Sequence, residues 1–156
     1  MSLAANNLDA ALALLPTQTA GQTSGSRLTR PELFAQSQVQ MASKQAALAA
    51  LAVQNLQTWV AAHPTDSPAW QLLGNAYRTN GQSLRAIRAE AEAQVALLDY
   101  AAAIDRFKAA QDMVRSGSAT VATGRDYMEE SIIDVRTRQV QELLKQQIKD
   151  EKEASK

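Results

Sequence analysis

The chain has 156 residues, the length of about one domain. Sixteen basic and sixteen acidic side chains give a formal net charge of zero, so the basic excess expected of a nucleic-acid binder is missing. Cysteine is absent and His63 is the sole histidine, which excludes disulfides, thiolate metal sites, an ordinary zinc site and a cysteine nucleophile. Hydrophobic residues make up 46% but aromatics only 4%, and alanine is the commonest residue. That composition predicts an all-α fold with close helix packing, and it disfavours sheets, which draw on β-branched and aromatic residues. No stretch approaches the ~18 consecutive apolar residues of a membrane span. The opening Met1-Ser2-Leu3-Ala4-Ala5-Asn6-Asn7 lacks basic residues, and the apolar run from Ala10 to Leu15 stops at Pro16, so no signal peptide is expected. Two settings fit: a cytoplasmic protein, or an excised part of a larger exported one.

In chain order, Leu8, Ala11, Leu12 and Leu15 have the i, i+3, i+4, i+7 spacing of a short amphipathic helix over about 5–15. Thr17 to Thr29 is rich in Thr, Gln, Gly and Ser and reads as a flexible surface loop. Residues 1–30 are therefore a helix plus loop. Thr29 then serves as a cap, with Pro31 in the first turn of a helix carrying Leu33, Phe34, Val39 and Met41. Another helix runs from about Gln45 through Leu48, Leu51, Ala52, Leu56, Trp59 and Val60, and ends at His63-Pro64 because proline pushes its predecessor out of the α region. Ser67 as cap and Pro68 in the first position restart the chain as a helix with Trp70, Leu73, Ala76 and Tyr77 on one face. Asn80-Gly81 stops it. The following helix carries Leu84, Ile87, Ala91, Val95 and Leu98. Asp99 marks a tight turn, and Ala103, Ile104, Phe107, Ala110 and Val114 define the next helix, up to residue 115. Ser116-Gly117-Ser118 opens a polar loop that includes Gly124. The last unit, 116–156, ends in a long helix from about Asp126 to Glu153, with Met128, Ile132, Val135, Leu143, Leu144 and Ile148 as a thin apolar stripe. From Lys145 onward it is charged or Gln-rich and is expected to fray or project.

Residues 70–77, Trp-Gln-Leu-Leu-Gly-Asn-Ala-Tyr, fit the W-x2-L-G-x2-Y pattern of tetratricopeptide repeats. Trp70, Leu73 and Tyr77 fill the gap to a partner helix, Gly74 lets that helix approach, Gly81 closes the turn, and Ala86 makes a small contact on the return. The A-x3-F half of the pattern appears as Ala103…Phe107, about 17 residues late, which is one extra helix. Residues 31–115 therefore read as antiparallel hairpins of a short TPR-like superhelix, with helices near 68–79, 82–97 and 100–115 and a degenerate repeat starting near Leu33. Over about 45–140 the chain also resembles the C-terminal TPR region of BepA-like periplasmic zinc metalloproteases. The resemblance rests on His63-Pro64, Ala69-Trp70-Gln71-Leu72-Leu73, Arg85 to Ala93, Leu98 to Ala103, and Ser131-Ile132-Ile133-Asp134-Val135-Arg136. It implies a periplasmic setting and a module that docks partners, among them outer-membrane assembly components. The chain has no H-E-x-x-H, so zinc belongs only to a protease domain outside it, and no catalytic residue is carried over.

His63 reads as a structural or exposed histidine, and Trp59 and Trp70 as packing residues. Glu129 and Glu130 are adjacent, so they point apart and read as a solvated face. The candidate partner-binding residues are Gln71, Asn75 and Arg78, on the side of their helix away from Trp70, Leu73 and Tyr77. Arg85 and Arg88 follow, one turn apart: they suit a bidentate carboxylate clamp or, more simply, surface pairing with Glu90 and Glu92. No nucleophile–base pair or phosphate-binding glycine motif is present. The expectation is a non-catalytic protein-binding module without a cofactor, membrane span or nucleic-acid partner. The alternative is a helical adaptor that homo-oligomerises through its long last helix.

Overall fold

The computed structural model describes residues 28–117 and 124–156. Six helices occupy them: α1 Arg30–Ala42, α2 Ala46–Ala62, α3 Ser67–Thr79, α4 Ser83–Ala96, α5 Tyr100–Arg115 and α6 Gly124–Ala154. No strand occurs among the described residues, and the all-α expectation holds. The helix expected over 5–15, most of the loop that follows it, and residues 118–123 lie outside the described residues. Links of three or four residues join α1 through α5, and such short links make successive helices antiparallel neighbours. Each helix packs on the next; α1 also reaches α3, and α4 also reaches α6.

The helix ends follow local chemistry. At α1, the Thr29 backbone N–H donates to the Glu32 carboxylate at 2.8 Å, and this bond holds the Glu32 carboxyl below its usual range. α2 ends at His63, whose ring stacks on Trp59 with centroids 4.0 Å apart. The cap of α3 differs from the sequence reading. Asp66, not Ser67, is the N-cap, and it accepts from the Ala69 N–H at 3.3 Å. The reason is that a carboxylate has about four acceptor sites and a serine hydroxyl only two. Asp66 also takes Arg30 through Nε and Nη2 at 2.7 and 2.9 Å, and Trp59 Nε1 at 2.9 Å. It thereby joins α1, α2 and α3. Chiefly through the Arg30 bond, its pKa falls to about 2. Trp70 Nε1 donates to the Pro64 carbonyl at 2.9 Å and fixes the same corner. Gly81, at φ +70°, supplies the left-handed turn into α4. Asp99 caps α5 through the Ala102 N–H at 3.0 Å.

Two apolar clusters share α4. The first gathers Leu33, Val53, Leu56, Val60, Leu72, Leu73 and Tyr77 with Ala86 and Ala89 of α4. The second gathers Leu84 and Ala91 of α4 with Ile104, Phe107, Ile133 and Val140. Gly74 faces α4 closely: a Cβ built there would lie 3.3 Å from the Ala86 carbonyl oxygen and 3.4 Å from Glu90 Cγ. Ala86 and Ala93 supply small residues on the return helix. The repeat that opens at Trp70 is thus completed by α4, and Phe107 belongs to the helix after it.

α6 departs from the sequence reading in where its apolar stripe lies. Its buried face is Glu129, Ile133, Thr137 and Val140, while Met128, Ile132, Val135, Leu143 and Ile148 are exposed. The polar inner face is satisfied, Glu129 by arginines of α4 and Thr137 by the Ile133 carbonyl one turn back, so a template that looks only for apolar residues chooses the other stripe. Beyond Lys145 the helix continues to Ala154 with mostly exposed side chains: of the two expectations for this end, it projects.

Two tests follow from this packing. Gly74→Leu should lower stability by about 1–3 kcal/mol through overpacking against the α4 backbone, read as a shifted urea midpoint. The depressed pKa of Asp66 gives stability that is present above about pH 4 and lost as pH falls toward 2. Allowing for solvent screening, the loss is about 1–2 kcal/mol. Asp66→Asn should flatten the stability profile across that window, and an unchanged profile would show that the carboxylate does not hold the corner.

Candidate functional site

Both α3 and α5 pack on α4, and they do not reach each other. The strip of α4 between them, flanked by α3 and α5, is the candidate groove. The α3 wall presents Gln71, Asn75 and Arg78, all exposed, as the sequence placed them. Arg78 is already engaged. Its Nη2 donates to Glu90 on the floor, and its Nη1 donates to Asn75 Oδ1 at 3.3 Å. From the α5 wall, Arg106 Nη1 comes within 4.0 Å of the other Glu90 oxygen. The Arg78 and Arg106 side chains keep 56% and 58% of their exposure, and Glu90 keeps 25%. Two arginines over one carboxylate leave the groove with one surplus positive charge. Amides on the α3 wall add donors and acceptors suited to an extended backbone.

Sequence reasoning missed Glu90 and Arg106 as groove residues. Glu90 could have been found: it sits four residues after Ala86, hence on the same α4 face, which the repeat pattern turns toward α3. Arg106 carries no comparable signal. Arg85 and Arg88 do not belong to the groove. At about 100° per residue they project some 140–160° round α4 from Glu90. There they face α6, where Arg88 Nε donates to Glu129 Oε1 and Arg85 Nε lies 3.6 Å from Glu129 Oε2. The two arginines do clamp a carboxylate, and it is the chain's own. Pairing with Glu90 and Glu92, the simpler expectation, is not what forms. Glu92 instead receives Arg136 Nε and Nη2 at 2.6 and 2.7 Å, and this fork holds the Arg136 pKa above its usual value. Glu129 is buried, contrary to its reading as a solvated residue; Glu130 is half-buried. It escapes notice because its partners lie 41 and 44 residues away.

His63 is exposed at the end of α2, with Nδ1 3.1 Å from the Trp59 carbonyl oxygen. Among the described residues, no three His, Asp or Glu side chains are grouped to hold a metal ion. No helix among them is long and apolar enough to cross a membrane. A cavity of about 250 Å³ between α5 and α6 is lined by Gln111, Val114, Arg115, Glu130, Ile133 and Asp134, and Gln111 Nε2 donates to Asp134 Oδ1 at 2.7 Å across it.

Residues 55–88 match the tetratricopeptide repeat family. The match covers the second half of α2, all of α3 and the start of α4, and therefore includes Gln71, Asn75, Arg78 and the Gly74 contact. Such repeats generally serve as non-catalytic protein-binding modules. Searches of curated proteins and of solved structures give no match.

The two classes of ion pair should separate energetically. A double-mutant cycle on Arg78 and Glu90, exposed at the groove, should give about 0.2–1 kcal/mol of coupling. Removing Arg136 alone should cost about 3 kcal/mol, because Glu92 is then left buried without its cation.

Proposed function

We propose that the chain is a protein-docking module that takes an extended segment of a partner in the groove between α3 and α5. The single observation that carries this is the coincidence of an open, partly charged groove with the segment that matches a repeat family of protein-binding modules. Gln71 and Asn75 supply amides for the partner's backbone. Arg78 and Arg106, sharing Glu90, favour an acidic side chain or terminus over a basic one. The resemblance over about 45–140 supports a narrower reading: the docking part of a periplasmic zinc metalloprotease, with misassembled outer-membrane proteins or their assembly machinery as partners. In that reading the chemistry belongs to another domain, and this chain delivers the substrate to it.

The test is a binding titration with outer-membrane assembly components, comparing the wild type with a Gln71→Ala, Asn75→Ala, Arg106→Ala triple variant. These side chains are exposed, so stability should change by no more than about 0.5 kcal/mol per site. Affinity should fall nonetheless, since a hydrogen bond to a charged group contributes about 1.5–3 kcal/mol. Equal affinity for the two proteins would remove the groove from the reading.

A further inference from the structure

α6 carries two faces that serve different purposes. Glu129, Ile133, Arg136, Thr137 and Val140 turn inward to α4 and α5. About 110° round the helix lies a second stripe: Met128, Ile132, Val135, Gln139 and Leu143, spaced by four, three, four and four residues within an arc of some 80°. Its apolar members are 68%, 39%, 45% and 41% exposed. Spacings of three and four keep these residues on one helix face, and a narrow apolar face of that kind fits another helix.

We infer that this stripe is a homodimer seam on which α6 of a second copy lies antiparallel, with the twofold axis at Gln139. Three features of the helix select this occupant. The first is Gln139 at the middle of the stripe: its Oε1 accepts from Arg136 Nη1 at 2.8 Å and keeps a second lone pair, and its NH2 donates, so two copies meeting on the axis can bond to each other. The second is charge. Arg138 and Glu142 flank the stripe on the side away from the body, and both are exposed. In the antiparallel arrangement Arg138 comes within about 3 Å, along the axis, of the level of the partner's Glu142, and the pairing is reciprocal. A parallel arrangement puts this flank on opposite edges of the seam in the two copies, so the Arg138–Glu142 pairs do not form. The present bond from Lys145 to Glu142, at 2.7 Å, joins two exposed side chains and is readily exchanged. The third is Leu97 and Leu98 at the α4–α5 turn, 58% and 61% exposed, where Gln147 Nε2 donates to the Leu98 carbonyl at 3.4 Å. Pivoting on Gln139 brings Ile132 of the second copy level with Gln146, beside those two leucines. Parallel pairing brings Gln146 of the second copy to that level in place of Ile132.

The experiment uses the full chain, and the absence of cysteine makes it clean. Sedimentation across a concentration series should show a mass rising from one chain to two. Arg138→Glu should weaken the dimer about tenfold or more by setting like charges together. Arg138→Glu combined with Glu142→Arg should restore it, which a merely structural role would not. Val135→Cys and Leu143→Cys variants, mixed and oxidised, should form the 135–143 mixed disulfide in preference to either symmetric one. A monomer persisting to about 1 mM would overturn the inference, leaving the stripe to another partner. So would preferential 135–135 disulfides, which report parallel pairing, or a dimer indifferent to the charge reversal.

Discussion

The approach of α3 to α4 at Gly74 is the contact on which the rest depends. With no side chain at Gly74, the Ala86 carbonyl comes within 3.3 Å of where a Cβ would stand. Ala86 and Ala89 keep the facing surface low. Close approach compensates for small side chains: each alanine buries little apolar area, at about 25 cal/mol per Å², yet loses no rotamer freedom on burial. The same approach sets how far Arg78 must reach. Glu90, one turn beyond Ala86, is held under the α3 wall, so the groove and the core contact are two sides of one packing decision.

α4 then divides its circumference among three neighbours. Small residues face α3, Leu84 and Ala91 face α5, and Arg85, Arg88 and Glu92 face α6. The ion pairs to α6 have opposite polarity along the helix. Arg88 on α4 meets Glu129, while Glu92 on α4 meets Arg136. Sliding α6 by seven residues would bring Arg136 against Arg85 and Arg88 and strand Glu92. Pairs of this kind contribute less to net stability than to register, because desolvation offsets much of their attraction. That suits α6, whose inner face is too polar to define its position by apolar packing alone.

What the sequence made legible follows the same division. Helix boundaries marked by local residues were readable: Pro31, His63-Pro64, Gly81 and Asp99 each act within a few positions of themselves. The exposure of Gln71, Asn75 and Arg78 was readable because helical periodicity and the Trp70, Leu73, Tyr77 stripe fix which side turns outward. Errors came where a residue answers to partners distant in sequence. Ser67 looks like a cap as well as Asp66 does, until Arg30 and Trp59 arrive to choose the carboxylate. Glu129 looks solvated beside Glu130, and only α4 shows otherwise. On α6 the apolar stripe is the only local signal of a face, whereas the polar inner face answers to charges on another helix.

The two surfaces on α3–α5 and α6 lie on different sides of α4. Glu90, on the groove floor, projects some 140–160° from the residues that hold α6. A dimer joined through α6 therefore leaves each groove open. A partner with two accessible segments would then be bound twice, the second time at an effective concentration set by the tether and not by bulk solution. Modest single-groove affinity is enough under that arrangement. In that arrangement a groove with one surplus charge and a few amides, presented in duplicate, would hold a partner longer than a single groove could.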